Sequence, residues 1–149
     1  MRVYLDTNIL IDLLDTNRVH HEDATYIFEM AKEGRLEAFL SSQSVLDTIY
    51  TYRKAADPAM LRASLLAITQ FIHIAPIGLT EISKALQSEE PDIEDAAQAI
   101  TADSQFCHLI ISNDKGFPYY PKDWPITVMS SKVFVDTCKR LESAEPQMG

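Results

Sequence analysis

Short apolar runs suited to β-strands alternate along the whole chain with stretches whose apolar residues recur at helical spacing. Residues 2–5, 36–40, 72–77 and 108–112 read as strands, and 126–129 as a weaker one. Helices are expected over 8–14, 23–33, 43–54, 58–71, 80–87, 92–105 and 131–141. Ala24, Ile27, Phe28 and Ala31 set the apolar stripe of the second helix, and Gly34 stops it. Ser42 is the expected cap of the third helix, and Pro58 sits in the first turn of the fourth. Such alternation implies a mostly parallel sheet covered by helices on both faces. In sheets of that kind ligands bind beyond the carboxyl ends of the strands, so the residues just after each strand are the ones to examine.

The 149 residues carry no repeat, low-complexity tract or linker, and we expect one domain over residues 1–142 with a flexible tail at 143–149. No apolar run reaches the roughly 18 residues that span a bilayer. Cys107 and Cys138 are too few and too far apart for a disulfide framework or a zinc site. A reduced cytoplasmic setting fits. The formal net charge of -9 argues against holding nucleic acid mainly by phosphate neutralisation. It leaves open a nuclease whose bound cations invert the local field.

Carboxylates stand at several of the positions singled out by the alternation. Asp6 directly follows the first strand and Asp114 closely follows the fourth. Taken singly, Asp6 is equally readable as a helix N-cap and Asp114 as a turn residue beside Gly116. Asp92 and Asp95 open the alanine-rich helix three residues apart and share a face. Asp92 after Pro91 is also a good N-cap. Asp47 lies mid-helix among Leu46, Ile49 and Tyr50, where aspartate is a poor helix former. Three or four carboxylates converging on one rim repel one another unless a cation intervenes. Mg²⁺ or Mn²⁺ suits oxygen ligands of this kind and can activate water for attack on a phosphodiester.

At these residues the chain resembles the PIN-domain family. The matching pieces are Leu5-Asp6-Thr7-Asn8, Ser41-Ser42-Gln43-Ser44-Val45-Leu46-Asp47, Asp92-Ile93-Glu94-Asp95-Ala96-Ala97-Gln98 and Ile110-Ile111-Ser112-Asn113-Asp114, in the family's order across nearly the whole chain. The nearest likeness is to small bacterial PIN proteins of the VapC toxin type. The resemblance implies a three-layer α/β/α sandwich, a Mg²⁺- or Mn²⁺-dependent endoribonuclease, frequent homodimers and, for many members, control by an antitoxin. It makes Asp6 and Asp95 metal ligands, with Thr7 and Asn8 supporting the first and Asp92 beside the second. It gives Asp47 and Asp114 catalytic positions, and makes Asp114 and Asn113, the latter through its amide oxygen, further candidate metal ligands. Two departures stand out. The middle acid, often glutamate, is the shorter Asp47, and the late acidic position falls on the neutral Asn113, with Asp114 one residue later.

Arg53, Lys54 and Lys115 are candidates for RNA phosphate contact, with Lys122 weaker. For Arg53 and Lys54 the competing role is interaction with a helix C-terminus. His20 and His21 read as surface or capping residues. Phe117, Tyr119, Tyr120 and Trp124 suit core cover or a dimer contact better than base stacking. The rival to a nuclease is a PIN-like module that binds RNA or protein without cutting, which Asn113 favours. A metal-dependent phosphatase ranks lower, because no Asp-x-Asp motif follows a strand.

Overall fold

The computed structural model describes residues 1–117 and 126–145. Strands β1 (Arg2–Leu5), β2 (Glu37–Ser41), β3 (His73–Ala75), β4 (Leu109–Ile111) and β5 (Thr127–Met129) form one sheet in the order β3-β2-β1-β4-β5. Every pairing is parallel. The helices among these residues are α1 (Thr7–Leu14), α2 (His21–Lys32), α3 (Ser42–Tyr52), α4 (Pro58–Ile68), α5 (Leu79–Gln87), α6 (Ile93–Ser104) and α7 (Ser131–Ala144). The architecture is a three-layer α/β/α sandwich. None of the helices is long and apolar enough to cross a membrane.

Side chains alternate across the sheet, and the two faces build separate cores. Val3, Leu5, Ala38, Leu40, Leu109 and Ile111 pack with Ile9 and Leu10 of α1, Ile27 and Phe28 of α2, and Phe134 and Val135 of α7. Tyr4, Phe39 and Ile110 point the other way, onto Ala99 and Ala102 of α6 and onto Phe117. The alanines let α6 approach the sheet closely. The approach also buries Gln98, whose side-chain oxygen accepts from the Tyr4 hydroxyl. Each of these polar groups satisfies the other where water cannot.

Most differences from the expected boundaries are one to three residues at helix ends, where the last turn frays. One has a specific cause. The cap of α3 is Ser41 rather than Ser42: Ser41 Oγ accepts from Ser44 N at 2.9 Å, whereas Ser42 is already helical. Gly34 takes φ 74° and ends α2, as a left-handed glycine does. Helix α7 runs through Ala144, so Ser143 and Ala144 are helical rather than part of a tail.

Ser41 also donates to Ser44 Oγ at 3.0 Å, and Ser44 shares a 2.7 Å hydrogen bond with Thr7 Oγ1, tying the start of α3 to the start of α1. Replacing Ser41 by alanine should therefore cost about 1–2 kcal/mol, the upper part of the N-cap range. Ser42→Ala, whose hydroxyl only accepts from Ile77 N at 3.3 Å, should stay within about 0.5 kcal/mol. Urea unfolding with unchanged slope measures both, and equal costs would return the cap to Ser42.

Candidate active site

Because all strands run parallel, their carboxyl ends share one rim. Leu5 is level with Ile111, and Tyr4 with Phe39. One residue further along, Asp6, Ser41 and Ser112 therefore stand side by side across the middle of the sheet. Pairing persists at this level, since Asp6 N donates to Ile111 O at 3.0 Å and Ser112 N to Met129 O at 3.0 Å. The chain departs from β1 toward β2 on one side and β4 on the other, so this is also where the strand order reverses.

Asp6 is the N-cap of α1 and is only 9% exposed. Its Oδ1 accepts from Thr7 N at 2.8 Å. Its Oδ2 accepts from Ser112 Oγ at 2.7 Å and from Asn8 Nδ2 at 3.0 Å. Asp6 is thus a helix cap, and its capping bond uses Oδ1 while Oδ2 is held by Ser112 and Asn8 at the rim. Burial pushes its carboxyl above the usual range. The bonds from Ser112 and Thr7 pull it back, and the charge of Asp114 pushes it up again.

Asp95 sits at the N-terminal end of the α6 face that carries Ala99 and Ala102 onto the sheet. Its carboxyl is pushed up to about 7 by burial first, then by the charges of Asp92, Asp114, Asp6 and Glu94. Asp92 caps α6, accepting from Asp95 N at 3.0 Å. Glu94 is raised as well, by burial and then by Asp47, Asp92 and Asp6. Asp47 is held by Gln43 Nε2 at 2.7 Å. Asp114 receives Gly116 N at 2.9 Å, and its own N–H donates to Ser112 Oγ at 3.1 Å. Asp6, Asp47, Asp92, Glu94, Asp95 and Asp114 therefore share one negative field. Glu94 was not among the residues singled out from the sequence. The only signal for it there was its place between Asp92 and Asp95, off their shared face.

Asn113 belongs to a different set of contacts. Its Nδ2 donates to Ser131 Oγ at 3.0 Å and Asp12 Oδ2 at 3.2 Å, and its Oδ1 accepts from Ser131 N at 3.0 Å. The alternation along β4 explains the split. Leu109 and Ile111 face α1 and α7, and Asn113 continues on that side, while Ser112 follows Ile110 to the side of α6 and Asp6. These contacts give no support to Asn113 as a ligand.

Among the basic candidates, Lys115 lines a cavity of about 410 Å³ with His20, Ser112, Asp114 and Lys132. The Arg53 guanidinium instead lies 3.6 Å from the Tyr50 ring centroid and donates to Tyr50 O. Lys54 is exposed in the turn after α3. His21 Nδ1 contacts Asp12 O at 2.8 Å, and His20 precedes α2 with no side-chain capping bond. Phe117 is core, while Tyr119, Tyr120, Lys122 and Trp124 lie outside the described residues. Among the described residues no three His, Cys, Asp or Glu side chains stand close enough to form a ready-made metal cage. The donor set nevertheless suits a hard divalent cation. It consists of carboxylate oxygens whose mutual repulsion only positive charge relieves, and Mg²⁺ in particular keeps several waters rather than demanding an all-protein cage.

The chain is similar to several known proteins. The PIN domain matches residues 2–116. Ribonuclease VapC1 of Aquifex aeolicus (strain VF5) is 27% identical over 140 residues, covering 91% of this chain and 94% of that protein. The VapBC2 structure from Rickettsia felis, bound to a promoter DNA fragment, aligns with TM-score 0.65 at 14% identity, covering 87% of this chain and 98% of that one. Mycobacterium tuberculosis VapC20, a Sarcin-Ricin loop cleaving toxin, aligns with TM-score 0.62 at 13% identity over 78% of this chain and 92% of that one. At these identities the two structures bear on the fold, and they agree with it. With its parallel sheet and a match spanning residues 2–116, the chain belongs to the PIN-domain family.

Proposed function

We propose that this protein is a cytoplasmic, divalent-metal-dependent endoribonuclease and the toxin of a toxin–antitoxin pair. The observation that carries the reading is Asp95, pushed up to about 7 by burial and by the charges of Asp92, Asp114, Asp6 and Glu94. Carboxyls raised by burial and by one another's charge at strand ends are the electrostatic pattern a cation site presents, which supports this reading over a non-catalytic binder. The likeness to ribonuclease VapC1 and to VapBC complexes supports both the reaction and the antitoxin partner. The rival non-catalytic reading rested on a neutral residue at the late acidic position. Against it, the charge of Asp114 reaches both Asp6 and Asp95, which supports Asp114 in that position.

In this reading Asp6, Asp95 and Asp114 would hold Mg²⁺ or Mn²⁺, and Glu94 feels the charges of both Asp47 and Asp6. The bound ion supplies Lewis-acid stabilisation of phosphoryl charge and acidifies water. The chain's own residues do the rest. Thr7 N, Asn8 and Ser112 hold Asp6 in one orientation. Asp92 caps α6 and so places Asp95. We assign Asp47 and Glu94, the remaining carboxylates of the set, the proton from attacking water. Lys115, which lines one cavity with Asp114, suits an RNA phosphate flanking the cut. Arg53 and Lys54, further along α3, suit a more distant phosphate. Exposed apolar side chains on α3 (Leu46, Ile49, Tyr50) and α5 (Leu79, Ile82, Leu86) suit an interface between two copies of the chain.

Asp6→Asn should reduce Mn²⁺-dependent cleavage of RNA to the level left in EDTA. Its fold should survive, since asparagine caps a helix as well as aspartate does. Asn8→Ala, which removes a support rather than a ligand, should lose about 10–100-fold. Full activity in Asp6→Asn would end this assignment.

The protein's stability should also depend on pH in a defined direction. A carboxyl whose folded pKa lies above its unfolded value binds more protons when folded. Asp95 therefore contributes stability below its ordinary value, and that contribution is lost as pH rises toward about 7. Without metal, the thermal midpoint should fall between about pH 5 and about pH 8, and millimolar Mn²⁺ should restore it at the higher pH. Asp95→Asn should flatten the metal-free curve. A wild-type curve that is no steeper than that of the variant would show that the charge cluster carries no such penalty.

A further inference from the structure

We infer that Asn113 is a positioning residue which, together with Asp12 and Arg18, sets the orientation of the active-site carboxylate Asp6. The inference rests on the reading of Asp6 as an active-site group. Asp12 lies one turn beyond Asn8 on α1 and its side chain is only 3% exposed. Its Oδ1 accepts from Arg18 Nε at 2.6 Å and its Oδ2 from Asn113 Nδ2 at 3.2 Å. The other end of the Asn113 amide accepts from Ser131 N at 3.0 Å and from Ser131 Oγ at 3.2 Å, at the first residue of α7. Asn113 thus joins the end of β4 to α1 and α7 through a single side chain.

The consequence reaches Asp6 through the backbone. Asn113 N donates to Asn8 Oδ1 at 3.2 Å. With that oxygen occupied, the other end of the Asn8 amide is directed at Asp6 Oδ2, 3.0 Å away, and at Ser112 Oγ, 3.5 Å away. A flipped Asn8 would set an oxygen against a buried carboxylate. Arg18, Asp12, Asn113, Asn8 and Asp6 form a continuous chain of donors and acceptors, each fixing the next. Position 113 accepts from Ser131 N–H and donates to Asp12 at the same time, which an amide of this length does with its two ends and a carboxylate cannot. Aspartate there would place a second carboxylate against buried Asp12, where like charges repel strongly.

A metal ligand and a positioning residue respond oppositely to one substitution. If residue 113 held the ion, Asn113→Asp would add charge and tighten Mn²⁺ binding. In the positioning role it lowers kcat by about 10–100-fold, leaves KM for a short RNA within about threefold, and does not tighten Mn²⁺. The double variant Asp12→Asn with Asn113→Asp reverses the donor and acceptor at this contact. The new amide still accepts from Arg18 and donates to the new carboxylate, so kcat should return to within about fivefold of wild type. The side-chain ¹H–¹⁵N pair of Asn8 reports the same geometry without turnover. It should shift and exchange faster in Asn113→Asp and return in the double variant. Tighter Mn²⁺ binding, an unchanged Asn8 signal in Asn113→Asp, or a double variant no better than the single one would each overturn the inference. A wild-type protein inactive with Mn²⁺ would instead overturn the ribonuclease reading, and the Asn8 signal would still decide the role of Asn113.

Discussion

The parallel placement of β1 between β2 and β4 is the constraint on which the rest of the molecule depends. It sets Asp6, Ser41 and Ser112 at one level, so that three residues more than 30 positions apart become neighbours. Each does local work there. Asp6 caps α1, Ser41 caps α3, and Ser112 donates to Asp6. A shift of β4 by one residue would exchange Ser112 with Asn113 and turn the donor away from Asp6, because a strand's side chains reverse face at every step. The register is held by the two apolar cores, one on each face, and their size makes such a slip costly.

On that frame the fold accepts an electrostatic conflict. Asp6 is buried and Asp95 partly so, close to other carboxylates, and both pay in raised pKa. The chain offsets part of this locally. Two helix N-termini, those of α1 and α6, begin at the rim, and their free N–H groups and dipoles favour negative charge. That is enough to hold the carboxylates in place and not enough to neutralise them. Under the proposed function a divalent cation would complete the balance, and the overall charge of -9 is compatible with an RNA substrate once the local field is inverted.

Behind the acids lies a neutral support. The Tyr4–Gln98 pair braces the sheet against α6, and the Asn113 contacts brace β4 against α1 and α7. The Asp12 charge at the far end of the second brace is met by Arg18, so neither brace adds an unpaired charge to the repulsion at the rim.

The alternation of strand and helix patterns, the glycine stop at Gly34, and the acids after β1 and at the start of α6 were legible in the sequence. Each depends on periodicity or on residues adjacent in the chain. The sequence therefore determined a parallel α/β sandwich with carboxylates at its strand ends. It left undecided whether Asn113 or Asp114 faces Asp6, whether Ser41 or Ser42 caps α3, and that Glu94 joins the cluster through Asp47. Tertiary structure decided these, because where a strand ends relative to its neighbours, and how deeply a carboxylate is buried among charges from other elements, are set by packing between segments far apart in the chain.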